Sequence, residues 1–178
     1  MKIDNILFIA IKKSSFIMKD IDILQKNELN FKCFFMKRTK GLYLILNQIR
    51  LFFWLVLHLN KASTIIIWFV DYHAFFPALL GKLFNRKVIE VVAGFDAVSI
   101  PSIRFGIFFK NNIRSWVAKM SYKLADYIVP AHDSLIKGVN YYADPTGEGY
   151  KIGIKNFVND LKAEFHTLPF VYNSEFWS

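Results

Sequence analysis

Val88-Ile89-Glu90-Val91-Val92-Ala93-Gly94-Phe95-Asp96 decides how the rest of the chain is read. The run is short and rich in β-branched residues, a glycine ends it, and a carboxylate follows two residues later. An apolar run of this length, bounded by a turn residue, reads as a buried strand, of the kind that builds parallel sheets. In an open parallel α/β sheet, ligands sit beyond the carboxyl ends of the strands, and Gly94 and Asp96 fall there. Gly94 either turns the backbone or lets a substrate come close to it. Asp96 either projects into the crevice or caps the following segment.

The flanking sequence repeats the same unit. Strand-like runs lie at 2–11, 30–36, 63–70 and 125–130. Between them, apolar residues return at helical spacing over 16–27, 42–60, 74–84 and 112–124. Residues 131–135 read as the opening of another helix, and 155–165 as a polar helix. Strand and helix in alternation imply right-handed crossovers. The expected fold is α/β, a single Rossmann-like domain with a parallel sheet flanked by helices.

Two further loops fall at carboxyl ends of strands. Lys12-Lys13-Ser14-Ser15 offers two cations and two hydroxyls to a phosphate or a sugar, or is a solvated loop in which Ser14 or Ser15 caps a helix. Asp71-Tyr72-His73 places a carboxylate and an imidazole together. Asp71 also suits a helix cap, and His73 suits a general base or a sugar contact. Arg104, in the loop after Asp96, is a candidate partner for a phosphate on the acceptor.

Leu42 to Asn60 is apolar enough to suggest a membrane span, but Asn47, Gln48 and Arg50 interrupt it. On a helical wheel Asn47, Arg50 and His58 share one side, which describes an amphipathic helix with a broad apolar face. That face is expected to pack on the sheet, with a part available to a membrane interface beside Lys37, Arg38 and Lys40.

The chain of 178 residues is long enough for one domain with a real core. Its 54% hydrophobic content excludes a disordered chain and leaves apolar surface for a partner domain or a membrane. The net charge of +9 points to an acidic partner such as anionic lipid or a phosphorylated substrate. Nucleic acid is not expected, since no zinc spacing, recognition helix or RNA-binding sheet signature is present. No His/Asp/Cys cluster has metal-ligand spacing. The lone Cys33 fits a reducing compartment, and no signal peptide is visible. The expected location is cytoplasmic, peripheral on the inner face of the membrane. The missing G-x-G-x-x-G after the first strand speaks against a dinucleotide-binding protein.

Gly94-x-Asp96 followed by Pro101-x-x-x-x-Gly106 resembles the G-x-D … P-x-x-x-x-G segment in the N-terminal halves of family-4 glycosyltransferases of GT-B fold. Residues 125–135 resemble that family's A-D-x-I-x-x-V-S-E-x-L segment, with His132 in place of serine and Asp133 in place of the acid. Residues 167–177 resemble its interdomain passage I-P-N-G-Y-D-x-x-F, with Phe170, Val171 and Asn173 in place of asparagine, glycine and aspartate. The resemblance implies the N-terminal, acceptor-side domain of a retaining glycosyltransferase over residues 1–178, with the C-terminal donor-binding domain and its paired glutamates absent. It implies a nucleotide-sugar donor as co-substrate, bound through that other domain, a glycan or lipid-linked acceptor, no cofactor, and no turnover without the second half. Asp96 is then the expected catalytic group, orienting or polarising an acceptor hydroxyl. Lys12, Lys13, Ser14, Ser15, Asp71, His73, Gly94 and Arg104 are the expected acceptor-binding set. The alternative is a non-catalytic binding or assembly module at a membrane surface.

Overall fold

The computed structural model of the chain describes residues 5–37, 39–142 and 144–169. Its order is β1 (Ile6–Ala10), α1 (Ser15–Lys26), β2 (Phe31–Phe35), α2 (Leu42–Leu59), β3 (Thr64–Trp68), α3 (Phe75–Leu83), β4 (Lys87–Val92), α4 (Ile113–Leu124), β5 (Tyr127–Pro130), β6 (Gly138–Asn140), β7 (Tyr150–Ile152) and β8 (Glu164–Phe165). Six strands pair in parallel in the order β2-β1-β3-β4-β5-β8, and β6 and β7 form a separate antiparallel hairpin. The protein is therefore a single Rossmann-like α/β domain with a parallel sheet flanked by helices.

Strand alternation sorts the core into two layers. Ile9, Ile65, Ile67, Val88, Val92 and Ile128 pack against α2, α3 and α4. Phe8, Ala10 and Trp68 pack against Ile17 and Ile21 of α1 on the other face. Right-handed crossovers require this division: β1→β2 runs one way along the sheet, and the next three connections run the other way. Trp68 Nε1–H donates to Asp20 Oδ2 at 2.7 Å, tying α1 to the centre of the sheet. Beyond α1 this second face is half-covered, with Ile89, Val91, Tyr127 and Val129 partly exposed.

Two expected helices are absent. After β5 the chain makes only a short 3-10 turn at Asp133–Leu135 before β6. Gly138 lies so close to the Ser134 carbonyl that an added Cβ would meet it at 3.0 Å, and β6 is already paired with β7 there. The segment 155–165 is a 3-10 turn at Ile154–Asn156, then irregular chain, then β8. The Asn156 amide donates to the carbonyls of Gly138 (3.2 Å) and Ile152 (2.5 Å), the local competition that disfavours asparagine in helices. Asp160 at φ +58° then breaks any helical continuation.

The third departure concerns α2. Only Leu51, Leu55 and Leu59 are buried, and most of the remaining apolar surface faces outward rather than onto the sheet.

Candidate functional site

At β1 and β3 the direction of winding reverses: the chain leaves β1 toward β2 and leaves β3 toward β4. The carboxyl ends of these two strands flank the crevice in which open α/β sheets bind ligands. Two adjoining cavities occupy it, and Ile11, Asp71 and Arg114 line both. One, of about 510 Å³, extends past Tyr72 and His73 to Lys40 and Leu44. The other, of about 460 Å³, is bounded by Lys12, Phe95, Asp96 and Phe105.

Local backbone places these side chains. Phe69, just after β3, sits at φ +61°, a conformation uncommon for a bulky residue. Asp71 then accepts from the N–H of Tyr72 at 2.8 Å and so caps the 3-10 turn Tyr72–Ala74. Arg114 enters from the first turn of α4, which Asn112 and Ser115 close with a reciprocal capping box. Its Nε–H donates to Asp71 Oδ1 at 2.7 Å and an Nη2–H donates to Oδ2, a fork-on-carboxylate pair. The guanidinium also lies 4.8 Å from the Phe95 ring centroid. Burial works against the Asp71 charge, yet the Arg114 hydrogen bonds and charge, with the Tyr72 N–H, hold its pKa below the usual carboxylate value.

His73 is fully buried on the wall of the larger cavity. Its Nε2 lies 3.1 Å from the Trp68 carbonyl oxygen. A carbonyl only accepts, so Nε2 carries the proton and Nδ1 is a bare acceptor. Nδ1 has no hydrogen-bond partner among the described residues. Burial lowers the histidine pKa and outweighs the nearby Asp71 charge, which keeps the ring neutral.

Asp96 forms the floor of the smaller cavity but is itself 1% exposed. Its Oδ1 accepts from the N–H groups of Ala93 (3.2 Å) and Gly94 (3.0 Å), and its Oδ2 from Val70 N–H at 3.1 Å. The carboxylate thus fastens the turn after β4 to the end of β3. Burial pushes its pKa up to about 6 against those three donors. Behind it lies Glu90, fully buried in β4, whose Oε1 accepts from the Ser121 hydroxyl and whose Oε2 has no partner among the described residues. Burial raises the Glu90 pKa to about 8, with the Asp96 charge adding to it. Burial thus favours the protonated form of both carboxyls, and of Glu90 more than of Asp96.

The remaining expected residues divide. Lys12 reaches the crevice. Lys13 instead lies over the Phe35 ring at 5.4 Å. Ser14 occupies the N-cap position of α1 without a side-chain capping bond, and Ser15 is the exposed first residue of that helix. Gly94 turns at φ +139°, and a Cβ there would meet nothing within 4 Å, so the backbone lies open. Arg104 sits at the exposed tip of the following loop with left-handed backbone and lines neither cavity. The expected likeness at Phe170, Val171 and Asn173 falls outside the described residues. Among the described residues no group of three or more His, Cys, Asp or Glu is placed to hold a metal ion.

Sequence reading did not single out Arg114. The available signal was a cation in the first turn of a helix, where the macrodipole disfavours it unless an anion is at hand. The assembled crevice combines apolar and aromatic walls with a few converging polar groups, the composition of a small-molecule site. No protein-family model, curated protein or solved structure matches this chain.

Proposed function

We propose that the chain is the acceptor-binding half of a glycosyltransferase of the family-4, GT-B type, which passes a sugar from a nucleotide donor to a glycan or lipid-linked acceptor. The observation that carries this reading is His73: a fully buried, neutral imidazole with an unpaired acceptor nitrogen, on the wall of the crevice at the sheet's switch point. A buried acceptor without a donor is costly, and a sugar hydroxyl supplies one.

In this reading the acceptor hydroxyl donates to Nδ1 of His73, which orients its oxygen toward the donor. That oxygen bonds to the anomeric carbon as the bond from that carbon to the donor phosphate breaks. The hydroxyl proton passes to Nδ1 of His73 as that bond forms, and from there to the departing diphosphate. Asp71, held by Arg114, accepts from neighbouring hydroxyls, and Lys12 and Lys40 meet acceptor phosphate at the rim. Asp96 positions the β4 turn rather than touching the acceptor. Positive groups that stabilise the leaving diphosphate belong to a donor-binding domain outside this chain's crevice.

The test is sugar transfer from a panel of nucleotide sugars by the full chain, alone and fused to a donor-binding GT-B half. Transfer only by the fusion, reduced roughly a hundredfold by His73→Gln, is the expected result. Transfer by the chain alone would overturn the half-enzyme reading. Unchanged transfer in His73→Gln would remove His73 from it.

A further inference from the structure

α2 carries two apolar faces. Leu51, Leu55 and Leu59 turn inward. Leu42, Leu46, Ile49, Phe53, Val56 and Leu57 form a second stripe on the opposite side, each 47–77% exposed. A contiguous apolar stripe of this kind left open on a helix normally marks an interaction surface. The outer stripe runs the length of an 18-residue helix, roughly 27 Å. It continues across the helical layer through ring contacts from Phe53 to Phe52, Phe76, Phe75 and the half-exposed Trp116 of α4.

The helix meets the length and hydropathy of a membrane span, but the topology forbids one. β2 and β3, which precede and follow α2, both pair with β1 in one sheet. The two ends of α2 are therefore held on the same body and cannot lie on opposite sides of a bilayer.

Charge identifies the covering partner. From Leu29 to Val70 the chain has no acidic residue and six basic ones. Of these, Lys37, Lys40 and Lys61 flank the two ends of α2 and are exposed, and Arg50 lies at the margin of the outer stripe. An apolar stripe edged by cations, on a chain of net charge +9, matches the surface of an anionic bilayer. We infer that the outer face of α2 docks in the plane of an anionic lipid membrane, its apolar stripe in the acyl boundary and its flanking lysines among the headgroups. Lys40 and Leu44 also line the larger cavity, so docking brings the mouth of the crevice to the lipid surface. The inference does not depend on sugar transfer.

The test is co-flotation of the full chain with vesicles of phosphatidylcholine alone and of phosphatidylcholine mixed with phosphatidylglycerol. The wild-type chain is expected to float with the mixed vesicles, less with the neutral ones, and less at high salt. Ile49→Glu/Phe53→Glu and Lys37→Glu/Lys40→Glu should each weaken this about tenfold or more, and Ile23→Glu on α1 should not. In a Cys33→Ser background, an environment-sensitive fluorophore at Val56→Cys should shift to the blue on mixed vesicles, and one at Ile23→Cys should not. This second readout does not require the glutamate variants to fold. Failure of the wild-type chain to float, or equal flotation by the α2 double variants, would overturn the inference. So would loss of a sedimenting dimer in Ile49→Glu/Phe53→Glu without any change on vesicles, which would make the face a contact between copies.

Discussion

Arg114 grips both carboxylate oxygens of Asp71 across 43 positions of sequence, joining the first turn of α4 to the end of β3. Both side chains are a quarter exposed or less. Removing the guanidinium in Arg114→Ala leaves a mostly buried anion with one backbone donor. The expected cost is about 1–3 kcal/mol, below the range for a fully buried pair because water reaches both groups. Arg114→Lys should recover little, since an ammonium cannot reproduce the two-point contact. The sign with pH follows from the lowered Asp71 pKa. The pair's stabilisation is present above the unfolded carboxylate value and is lost as pH falls through the folded one. Urea unfolding from pH 7 downward should show a shallower acid limb in Arg114→Ala than in the wild type.

Glu90 should give the opposite slope. Its folded pKa of about 8 stands well above its ordinary 4.5, so the folded chain holds a proton that the unfolded chain has released. Its favourable contribution is complete below about 4.5 and is lost as pH rises to about 8. The loss is on the order of a few kcal/mol. Asp96, raised from 3.8 to about 6, adds to it over a lower and narrower window. Glu90→Gln keeps an acceptor for the Ser121 hydroxyl and carries no charge. Its stability should therefore fall less than the wild type's between pH 4.5 and pH 8 (about the window between the unfolded and folded Glu90 pKa values), measured by denaturant unfolding. An equal slope in the two proteins would show that Glu90 is not the titrating group.

How far the sequence reached depended on whether local and global signals agreed. The run Val88–Val92 and the glycine after it became a central strand and a turn because β-propensity, burial and turn chemistry all favour that arrangement. The helix read over 112–124 formed for the same reason, its apolar spacing agreeing with its packing. At 131–135 and 155–165 the helical spacing was real, but hairpin pairing and the bonds of Asn156 overrode it. The wheel of α2 shows apolar width, yet it cannot say which part meets the sheet, since burial at Leu51, Leu55 and Leu59 depends on the neighbouring α3. In the site, carboxyl-end positions such as Asp71, His73 and Asp96 follow from strand order alone. Arg114 comes from a distant helix, and no local pattern links it to Asp71. The division between Asp96 as a backbone fastener and His73 as a buried, unpaired acceptor depends on individual hydrogen bonds.

The loop after β4 gives a comparison between two glycines. Gly94 and Gly106 both have positive φ, +139° and +99°. At Gly94 an added methyl meets open space, so Gly94→Ala should cost only the backbone term, about 1–3 kcal/mol. At Gly106 the methyl would lie 2.0 Å from the Val98 carbonyl oxygen. That contact cannot be relieved without breaking the Ile107 and Phe108 hydrogen bonds to Phe95 and Val98. Gly106→Ala should therefore be the more destabilising by several degrees in Tm, about 2–4 °C for each further kcal/mol in a domain of this size. It should also loosen Phe105, which packs edge-on against Phe95 at 5.4 Å in the cavity wall. Thermal unfolding of the two variants decides the point, and equal losses would contradict the close approach at Val98.

His73 separates a structural role from a ligand-binding one, because its two nitrogens do different things. Nε2–H holds the Trp68 carbonyl at 3.1 Å, and Nδ1 is buried with no partner among the described residues. In His73→Gln the terminal amide N–H can still donate to Trp68 and the Nδ1 acceptor is gone. His73→Ala loses both, opens a cavity, and should cost about 2–4 kcal/mol. The expected pattern is a small stability loss in His73→Gln with most of the ligand affinity removed, against a large loss of both in His73→Ala. A lowered histidine pKa adds a pH signature. The unfolded chain takes up a proton near the ordinary value of 6.5 while the folded one resists, so stability falls as pH drops below about 6.5. That component should vanish in His73→Gln. Ligand-observed NMR with an oligosaccharide panel, run beside denaturant unfolding at pH 5 and pH 7.5 (about the two sides of the histidine titration), reads both effects on the same samples. If His73→Gln binds glycans as the wild type does, the crevice recognises its ligand without Nδ1, and the imidazole serves only to hold the end of β3.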